Sequence, residues 1–445
     1  MEPTTRGTWG SKLGFILAAT GSAIGLGNIW RYPYVTGQNG GAAFVLMYLA
    51  CVLAIGIPVL IAELSMGRHT TLNPVGAFKK LSRSRSWPVV GYLGVATGVF
   101  ILSFYAVIAG WTIAFIFRTL LHSTTSFSDF LADPYSQLFY FAVFLGLTLF
   151  VVLGGVEKGI ERWSKILMPM LLVILLGLIA FALTLPGASV GVQFYLNPDF
   201  SKITGSTILA ALGQAFFSLS LGMGTMITYG SYLSKKDNVV TSAVAVGFSD
   251  TLIAVLAGLV IFPALFSAGL EPSQGPGLVF NVLPTIFEQM PAGTFVGVLF
   301  FVLLAIAALT STVSLLEVPV AFLVDQKGWS RAKAVWIISA LVFVVGIPSA
   351  LSLGASAGLT SFEIFGQTGF LNMMNFLFGD VSLPLGGFFF SIFVGWVWTT
   401  RKASEELSLG AESSSKFLLA IWGVLLRFVC PVVILVVLGQ KLFGF

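Results

Sequence analysis

The sequence predicts an all-α membrane protein with about eleven transmembrane helices. Of its 445 residues, 57% are hydrophobic and 9% are charged, whereas a soluble domain carries about 25% charged residues. Apolar runs recur from end to end, and each is long enough to cross a hydrocarbon core of about 30 Å. In lipid such runs must be helical, because a helix satisfies its own backbone hydrogen bonds.

The predicted spans follow one another with no soluble domain between them. Their limits are 12–36, 41–66, 89–121, 137–153, 164–185, 206–232, 240–268, 293–323, 332–352, 369–399 and 417–442. The longest polar stretch, 400–416, is expected to be a loop.

The connections between the spans alternate in charge. The N-terminus and the connections after even-numbered spans hold all but five of the 23 Lys and Arg residues, the five being Arg31, Arg118, Lys202, Arg427 and Lys441. Short basic connections favour the cytoplasmic side. We therefore expect a multi-pass protein of the cell (plasma) membrane, embedded in the lipid bilayer, with its N-terminus in the cytoplasm.

Several classes of function are disfavoured. Cys51 and Cys430 lie in apolar runs, and the two histidines, His69 and His122, are far apart. This pattern argues against a disulfide framework and a zinc site. The chain has a net charge of +5. In a membrane protein such an excess of basic residues usually comes from the cytoplasmic loops, so nucleic acid is not an expected partner. No phosphate-binding P-loop is present, so an ATP-driven pump is not expected. An enzyme is not expected either.

Two spans contain clusters that ordinary helices avoid. They are 21–28 (GSAIGLGN) in span 1 and 218–224 (SLSLGMG) in span 6. Glycine costs about 1 kcal/mol against alanine inside a helix. One cluster alone is equally consistent with close packing of helices through small residues. Two clusters five spans apart favour broken helices at the midplane site of a transporter.

The run 21–33 (GSAIGLGNIWRYP), followed by 39–41 (NGG), resembles the first helix of the neurotransmitter:sodium symporter family. Further matching stretches occur in order over nearly the whole chain, at 67–68, 158–162 (KGIER), 213–224 (GQAFFSLSLGMG), 229–232 and 309–311. The pattern is most similar to the bacterial amino-acid transporters with eleven helices.

This resemblance implies one transporter domain over 1–445, built as a five-plus-five inverted repeat with spans 1 and 6 broken. Repeat one would cover about 10–185, repeat two about 206–400, and an extra helix about 417–442.

The resemblance implies two sodium ions. The first would bind the carbonyl of Ala23, the side chains of Asn28 and Ser218, and a group on span 7, for which we identify Asp250. The second would be bound by carbonyls and hydroxyls at Gly21, Ile24, Ala307, Thr310 and Ser311. By themselves, the two hydroxyls are also consistent with ordinary bonding to the preceding helical turn.

The substrate implied is an α-amino acid. Its carboxylate would meet N–H groups near Gly25 and Gly27, the Tyr105 hydroxyl and the first sodium. Its ammonium would meet carbonyls near Phe217 and Ser218. Its side chain would face Ile101, Phe217, Ser220, Met223 and Leu315, and the pocket would also include Ser22, Ala23, Leu26 and Ser311. That lining predicts neutral apolar or aromatic amino acids.

Asp250 is a carboxylate in an apolar span, and such groups are costly and functional by default. Chloride-dependent members of the family carry a serine in this region, and chloride-independent ones a local carboxylate. We therefore expect chloride-independent transport, with Asp250 either ionised beside sodium or protonated in one state. Ser249 is the alternative residue that would face the sodium. The non-functional alternative is that Asp250 is a solvated carboxylate near a helix end.

An outer gate is implied by Arg31, with Phe217 as a lid. In relatives an acidic residue of span 10 pairs with this arginine. The aligned position here is Asn375, which predicts a weaker gate held by a hydrogen bond. Glu363 is a possible substitute in the preceding loop.

An inner gate is implied by four residues, Arg6, Trp9, Tyr232 and Asp325. Glu63 is expected to accept hydrogen bonds from free N–H groups of the broken helices. Gly159 and Pro169 resemble a family motif that lets span 5 unwind, although Pro169 alone would indicate a simple kink.

The sequence therefore predicts a sodium-coupled symporter that imports amino acids by alternating access. A proton-coupled transporter of the same fold is the main alternative, supported by Asp250 and Glu63. An ion channel is a different class of function, and it would predict an open polar path rather than two broken helices around a closed pocket. A membrane sensor is another class, but the sequence predicts no output domain.

Overall fold

The computed structural model describes residues 7–270, 275–288, 290, 292–411 and 415–443, and it is almost entirely helical. The spans, numbered 1 to 11 in chain order, are Lys12–Ala23 with Gly27–Gln38, Ala42–Thr70, Pro88–Leu120, Pro134–Leu153, Val156–Ala182, Gly205–Ser218 with Thr225–Gly230, Val239–Ser267, Gly293–Lys327, Arg331–Leu351, Phe370–Val397 and Lys416–Phe443.

In the described ranges, nine continuous helices are long and apolar enough to cross a membrane. Lys12–Ala23 and Gly27–Gln38 together form a tenth such segment, bent by 53°. The remaining predicted span, the sixth, is divided into Gly205–Ser218 and Thr225–Gly230. The all-α membrane fold with breaks in spans 1 and 6 is confirmed, whereas the boundaries of the two repeats stay a prediction.

Short elements connect the spans. The helices among them are Pro74–Leu81, Phe127–Ala132, Ala188–Leu196, Phe200–Lys202, Gly275–Leu278, Val282–Glu288, Ala357–Thr360 and Thr400–Leu407. Strands Glu363–Ile364 and Gln367–Thr368 pair antiparallel, with Glu363 opposite Thr368.

Two predicted limits need correction. Span 5 begins at Val156 rather than near 164, because the polar stretch Val156–Glu161 is wound into a wide π-helical turn at the start of the span. The expected loop 400–416 contains the helix Thr400–Leu407, which buries Ala403, Glu406 and Leu407. Both segments are rich in charge, so composition alone made them resemble loops.

The broken spans lie at the centre of the molecule. The first half of span 1 packs against spans 5, 7 and 8, and the second half of span 6 packs against span 2. Spans 3 and 8 pack along each other and are largely buried. Spans 5 and 11 expose apolar side chains such as Val173 and Val432, as expected for surfaces that face lipid.

Candidate functional site

Span 1 breaks because its backbone finds partners outside its own helix. Ile24 is extended, with φ −69° and ψ 117°. The carbonyl of Ile24 accepts a hydrogen bond from Ser311 Oγ at 2.9 Å, and the carbonyl of Ser22 accepts one from Ser220 Oγ at 3.0 Å. Spans 6 and 8 thus supply the hydrogen bonds that the interrupted helix cannot make.

Span 6 breaks between Ser218 and Thr225, and its free backbone is held by span 2. Glu63 Oε1 accepts the N–H of Gly222 at 2.8 Å, the kind of contact predicted for this glutamate. Gly222 has φ +89°, and a Cβ there would lie 2.0 Å from the carbonyl oxygen of Leu383. Only glycine allows this close approach of span 10 to the break.

A small pocket lies between the two breaks. It is lined by Ala23, Gly25, Gly27, Ile101, Tyr105, Phe217, Ser220, Met223, Ser311, Leu315 and Leu383. Ten of these eleven residues belong to the predicted substrate set, and Leu383 of span 10 is the addition. No polar signal marks Leu383 in the sequence, so only the packing of span 10 against span 6 brings it here.

The pocket has a polar end and an apolar end. At the polar end, Tyr105 Oη accepts the N–H of Leu26 at 2.8 Å. A Cβ at Gly25 would lie 2.6 Å from both Tyr105 Oη and Ser311 Oγ, so glycine leaves the backbone open to a bound group. Ser22 borders the pocket through its carbonyl, and its hydroxyl is buried without a protein partner.

Beside the pocket lies a buried cluster around Asp250. Its Oδ1 accepts Asn28 Nδ2 at 2.7 Å, and its Oδ2 accepts Ser218 Oγ at 2.6 Å. Tyr48 Oη donates to Ser218 Oγ at 3.2 Å. Asp250 is 0% exposed, so the solvated-carboxylate alternative is wrong, while Ser249 is only half-buried.

The Asp250 cluster contains a fully buried carboxyl group. Within the described part of the chain, no Lys, Arg or His forms an ion pair with Asp250. A buried carboxylate requires a cation or a proton. Asn28 Oδ1 also accepts the N–H of Gly25 at 3.1 Å, which links the cluster to the break in span 1.

The residues expected at the second sodium also lie together. Besides the Ser311 contact with Ile24, a Cβ at Gly21 would lie 3.0 Å from Thr310 Cβ. Thr310 Oγ1 bonds back to the carbonyls of Ile306 and Ala307, at 3.2 and 3.1 Å. Thr310 also borders a small cavity beside span 5.

Above Gly27 the pocket is covered by a group that we name the Arg31 gate: Arg31, Gln214, Phe217 and Asp380. The Arg31 guanidinium lies 4.9 Å from the centre of the Phe217 ring, and its Nη1 donates to Gln214 Oε1 at 2.9 Å. Its Nη2 lies 3.6 Å from Asp380 Oδ1.

The prediction that Asn375 faces Arg31 is therefore wrong. The carboxylate that reaches the arginine is Asp380, five residues further along span 10 within the wide turns Asn375–Ser382. Glu363 lies in an exposed strand and is not the partner. Asp380 was identifiable in principle as a charge inside an apolar span.

The opposite end is closed by a group that we name the Trp9 gate: Trp9, Tyr232, Glu317 and Arg331. Trp9 Nε1 donates to the carbonyl of Tyr229 at 3.0 Å, and its ring lies edge-on to Tyr232. Tyr232 Oη donates to Glu317 Oε1 at 2.7 Å, and Glu317 Oε2 lies 2.5 Å from Arg331 Nη2.

Three of the four residues predicted at this gate lie in the described part of the chain. Trp9 and Tyr232 meet, whereas Asp325 accepts the backbone and side-chain N–H groups of Asn73, both at 2.9 Å. Arg6 lies outside the described residues. The sequence interpretation missed Glu317 and Arg331, although a glutamate in span 8 is an unusual charge in an apolar run.

A larger cavity, of about 870 Å³, lies elsewhere. It is bordered by the end of span 3 and the start of span 8, including Arg118, His122 and Phe295, and by none of the predicted site residues. In the described ranges, no cluster of three His, Cys, Asp or Glu side chains could hold a metal ion.

Comparison with known proteins identifies the family of the chain. A model of the sodium:neurotransmitter symporter family matches residues 6–128 and 125–445. The sodium-dependent transporter YhdH of Bacillus subtilis (strain 168) is 40% identical over 438 residues, 96% of each chain. The sodium-dependent serotonin transporter of Drosophila melanogaster is 26% identical over 502 residues, 99% of this chain and 77% of that one.

Among solved structures, the crystal structure of MhsT in complex with L-phenylalanine superimposes with a TM-score of 0.90 at 46% identity, covering 98% of this chain and 100% of MhsT. A family match over nearly the whole chain, together with relatives at this identity, identifies the fold and the class of activity. The chain belongs to the sodium:neurotransmitter symporter family and is a sodium-dependent membrane transporter.

Proposed function

We propose that this transporter carries neutral apolar or aromatic L-amino acids into the cell together with two sodium ions, independently of chloride. The observation that carries the proposal is the pocket between the two breaks, with backbone groups at one end and an apolar lining at the other. The likeness to MhsT, whose structure contains L-phenylalanine, supports the same class of substrate.

The polar end suits an amino-acid backbone. The N–H groups that follow the break, near Gly25 and Gly27, can meet a carboxylate, as helix N-termini do for anions. The Tyr105 hydroxyl can donate to the same carboxylate. At the other end, Ile101, Met223 and Leu315 give a side chain no charged partner, so apolar and aromatic side chains are favoured.

The first sodium is proposed to balance Asp250. Sodium is a hard cation that prefers oxygen ligands, and this cluster offers the oxygens of Asp250, Asn28 and Ser218 together with the carbonyl of Ala23. A fixed carboxylate supplies the negative charge that chloride would otherwise bring, so chloride should be dispensable. The second sodium is proposed to bind the carbonyls of Gly21, Ile24 and Ala307 and the hydroxyls of Thr310 and Ser311.

Transport is proposed to follow alternating access in the plasma membrane, with the N-terminus in the cytoplasm. The Arg31 gate is then the outer gate, and the Trp9 gate the inner one. Sodium would favour the outward-open state and the substrate would close Phe217 over the pocket. A ligand shifts such an equilibrium only by binding one state more tightly than the other. Unwinding of span 5 at Gly159 and Pro169 would admit water to the second sodium.

Uptake into proteoliposomes tests the proposal. Radiolabelled phenylalanine, tryptophan and leucine are offered with an inward sodium gradient, and then with potassium and an inward proton gradient. Uptake that requires sodium supports the symporter. Uptake driven by protons alone would instead favour the proton-coupled alternative, for which the buried carboxylates Asp250 and Glu63 are the candidate carriers.

The role of Asp250 in chloride independence is tested separately. Asp250→Ser should make sodium-driven uptake depend on chloride, as measured by replacing chloride with gluconate. Wild type and the neighbouring Ser249→Ala should transport equally well in both anions. An Asp250→Ser variant that transports without any chloride effect would refute this part of the proposal.

A further inference from the structure

The last span reaches the Arg31 gate through a lysine. Asp380 Oδ1 lies 3.6 Å from Arg31 Nη2, while its Oδ2 lies 3.7 Å from Lys441 Nζ. One carboxylate thus divides its two oxygens between cations from span 1 and span 11. Their side chains are 20%, 28% and 41% exposed for Asp380, Arg31 and Lys441, so the trio is partly hydrated.

We propose that Lys441 is a positioning residue of this gate, which keeps Asp380 paired when Arg31 withdraws and thereby accelerates opening. The inference rests on the proposed gating function of Arg31. It gives span 11, which lies outside the two predicted repeats, a defined part in the transport cycle.

The contacts between the spans indicate which residue stays beside Asp380 when the gate opens. Arg31 is bound to span 6 through Gln214 and Phe217. Asp380 lies in span 10, which packs along span 11. When spans 1 and 6 move away from span 10, Arg31 leaves with them and Lys441 stays beside Asp380.

The electrostatics favour the open state. Without Lys441, opening the gate would leave Asp380 with no cation, whereas in the closed state Arg31 already supplies one. Lys441 therefore stabilises the open state more than the closed state, where two cations share one carboxylate and repel each other. Partly exposed ion pairs of this kind change an equilibrium by about 1.4-fold to 5-fold.

Opening can be measured without a substrate. A cysteine at Ile101, a buried residue of the pocket, is labelled with a membrane-impermeant thiol reagent in sodium-loaded intact cells. The natural cysteines, Cys51 and Cys430, are buried. Lys441→Gln should slow labelling of Ile101→Cys by about 1.4-fold to 5-fold, and Lys441→Arg should restore the parent rate.

Two controls isolate the Asp380 contact. Lys202→Gln, at an exposed lysine of the connection between spans 5 and 6, should leave the rate unchanged. In an Asp380→Asn background, Lys441→Gln should have no further effect. Unchanged or faster labelling in Lys441→Gln, or failure of Lys441→Arg to restore it, would overturn the inference. Absence of labelling in the Ile101→Cys parent would overturn the proposed gating role of Arg31. The uptake assay tests the substrate and its coupling ion separately.

Discussion

At the Trp9 gate the ion pair is short and its carboxylate is buried, whereas at the Arg31 gate the ion pair is long and its carboxylate is partly exposed. Glu317 is 0% exposed and has Arg331 at 2.5 Å and the Tyr232 hydroxyl at 2.7 Å. The Arg31–Asp380 pair is separated by 3.6 Å, and both side chains are partly exposed. Hydrated ion pairs contribute little to stability, whereas a buried pair is costly to break.

The difference indicates that the two gates open at different energetic cost. The Arg31 gate combines a flexible ion pair with an aromatic lid, so it can open at small cost. The Trp9 gate joins span 6 to spans 8 and 9 through the buried Glu317, so opening it requires the contacts of this carboxylate with Tyr232 and Arg331 to break together. Three substitutions test this comparison, in order of decreasing expected effect.

Glu317→Gln should have the largest effect. It removes the charge that balances Arg331. The guanidinium of Arg331 then keeps its hydrogen bond to the backbone carbonyl of Val152, at 2.8 Å. Loss of one member of a buried pair costs about 3–5 kcal/mol, and we expect the lower end because Arg331 is 26% exposed. Thermal unfolding of the purified protein measures the loss. Glu405→Gln, at an exposed glutamate paired with Arg401, is the control, and equal stability of the two variants would contradict the comparison.

A second buried network, on the Trp9 side of the molecule, should give an intermediate and pH-dependent effect. Arg68 is 0% exposed and its Nε lies 2.8 Å from Glu406 Oε1, while Lys235 Nζ lies 2.7 Å from the same oxygen. His69 Nδ1 lies 2.9 Å from Oε2. Burial alone would raise the pKa of Glu406, but its contacts with Lys235, His69 and Arg68 outweigh burial and hold that pKa below its ordinary value.

A carboxyl with a lowered pKa stabilises the fold above its unfolded pKa of about 4.3, and this stabilisation is lost as pH falls through the folded pKa. Glu406→Gln should therefore be less stable than wild type at neutral pH, and the two melting curves should converge below about pH 4. Arg68 keeps carbonyl partners at Asp237, Glu406 and Leu409, which limits the loss. A stability difference independent of pH would refute this assignment.

Asp380→Asn should have the smallest effect on stability, at most about 1 kcal/mol, because the pair it breaks is partly hydrated. The gate loses its attraction for Arg31, so labelling of Ile101→Cys should become faster by about 1.4-fold to 5-fold. The matched variant is Asn375→Asp, which should leave labelling unchanged. A change with Asn375→Asp alone would restore the original assignment of the outer gate.

Residues within continuous motifs were predictable, whereas partners from distant spans were not. Gly25, Tyr105 and Phe217 could be placed at the pocket from the resemblance to the family and from the order of the spans along the chain. Leu383 could not, because the packing of span 10 against span 6 decides its contact with the pocket. The partner of Arg31 was misassigned to Asn375 because wide helical turns in span 10 shift which residue faces this arginine.

The sequence by itself determined the membrane fold, the limits of most spans and the two breaks. Hydrophobic length and glycine content act locally, and a helix in lipid must satisfy its own backbone. Only the tertiary structure decided which charges meet, as for Asp380 with Arg31 and Lys441, and for Glu317 with Arg331. The reason is physical: a charge in an apolar span requires a partner, but its partner lies on another helix, and the packing of the helices selects it.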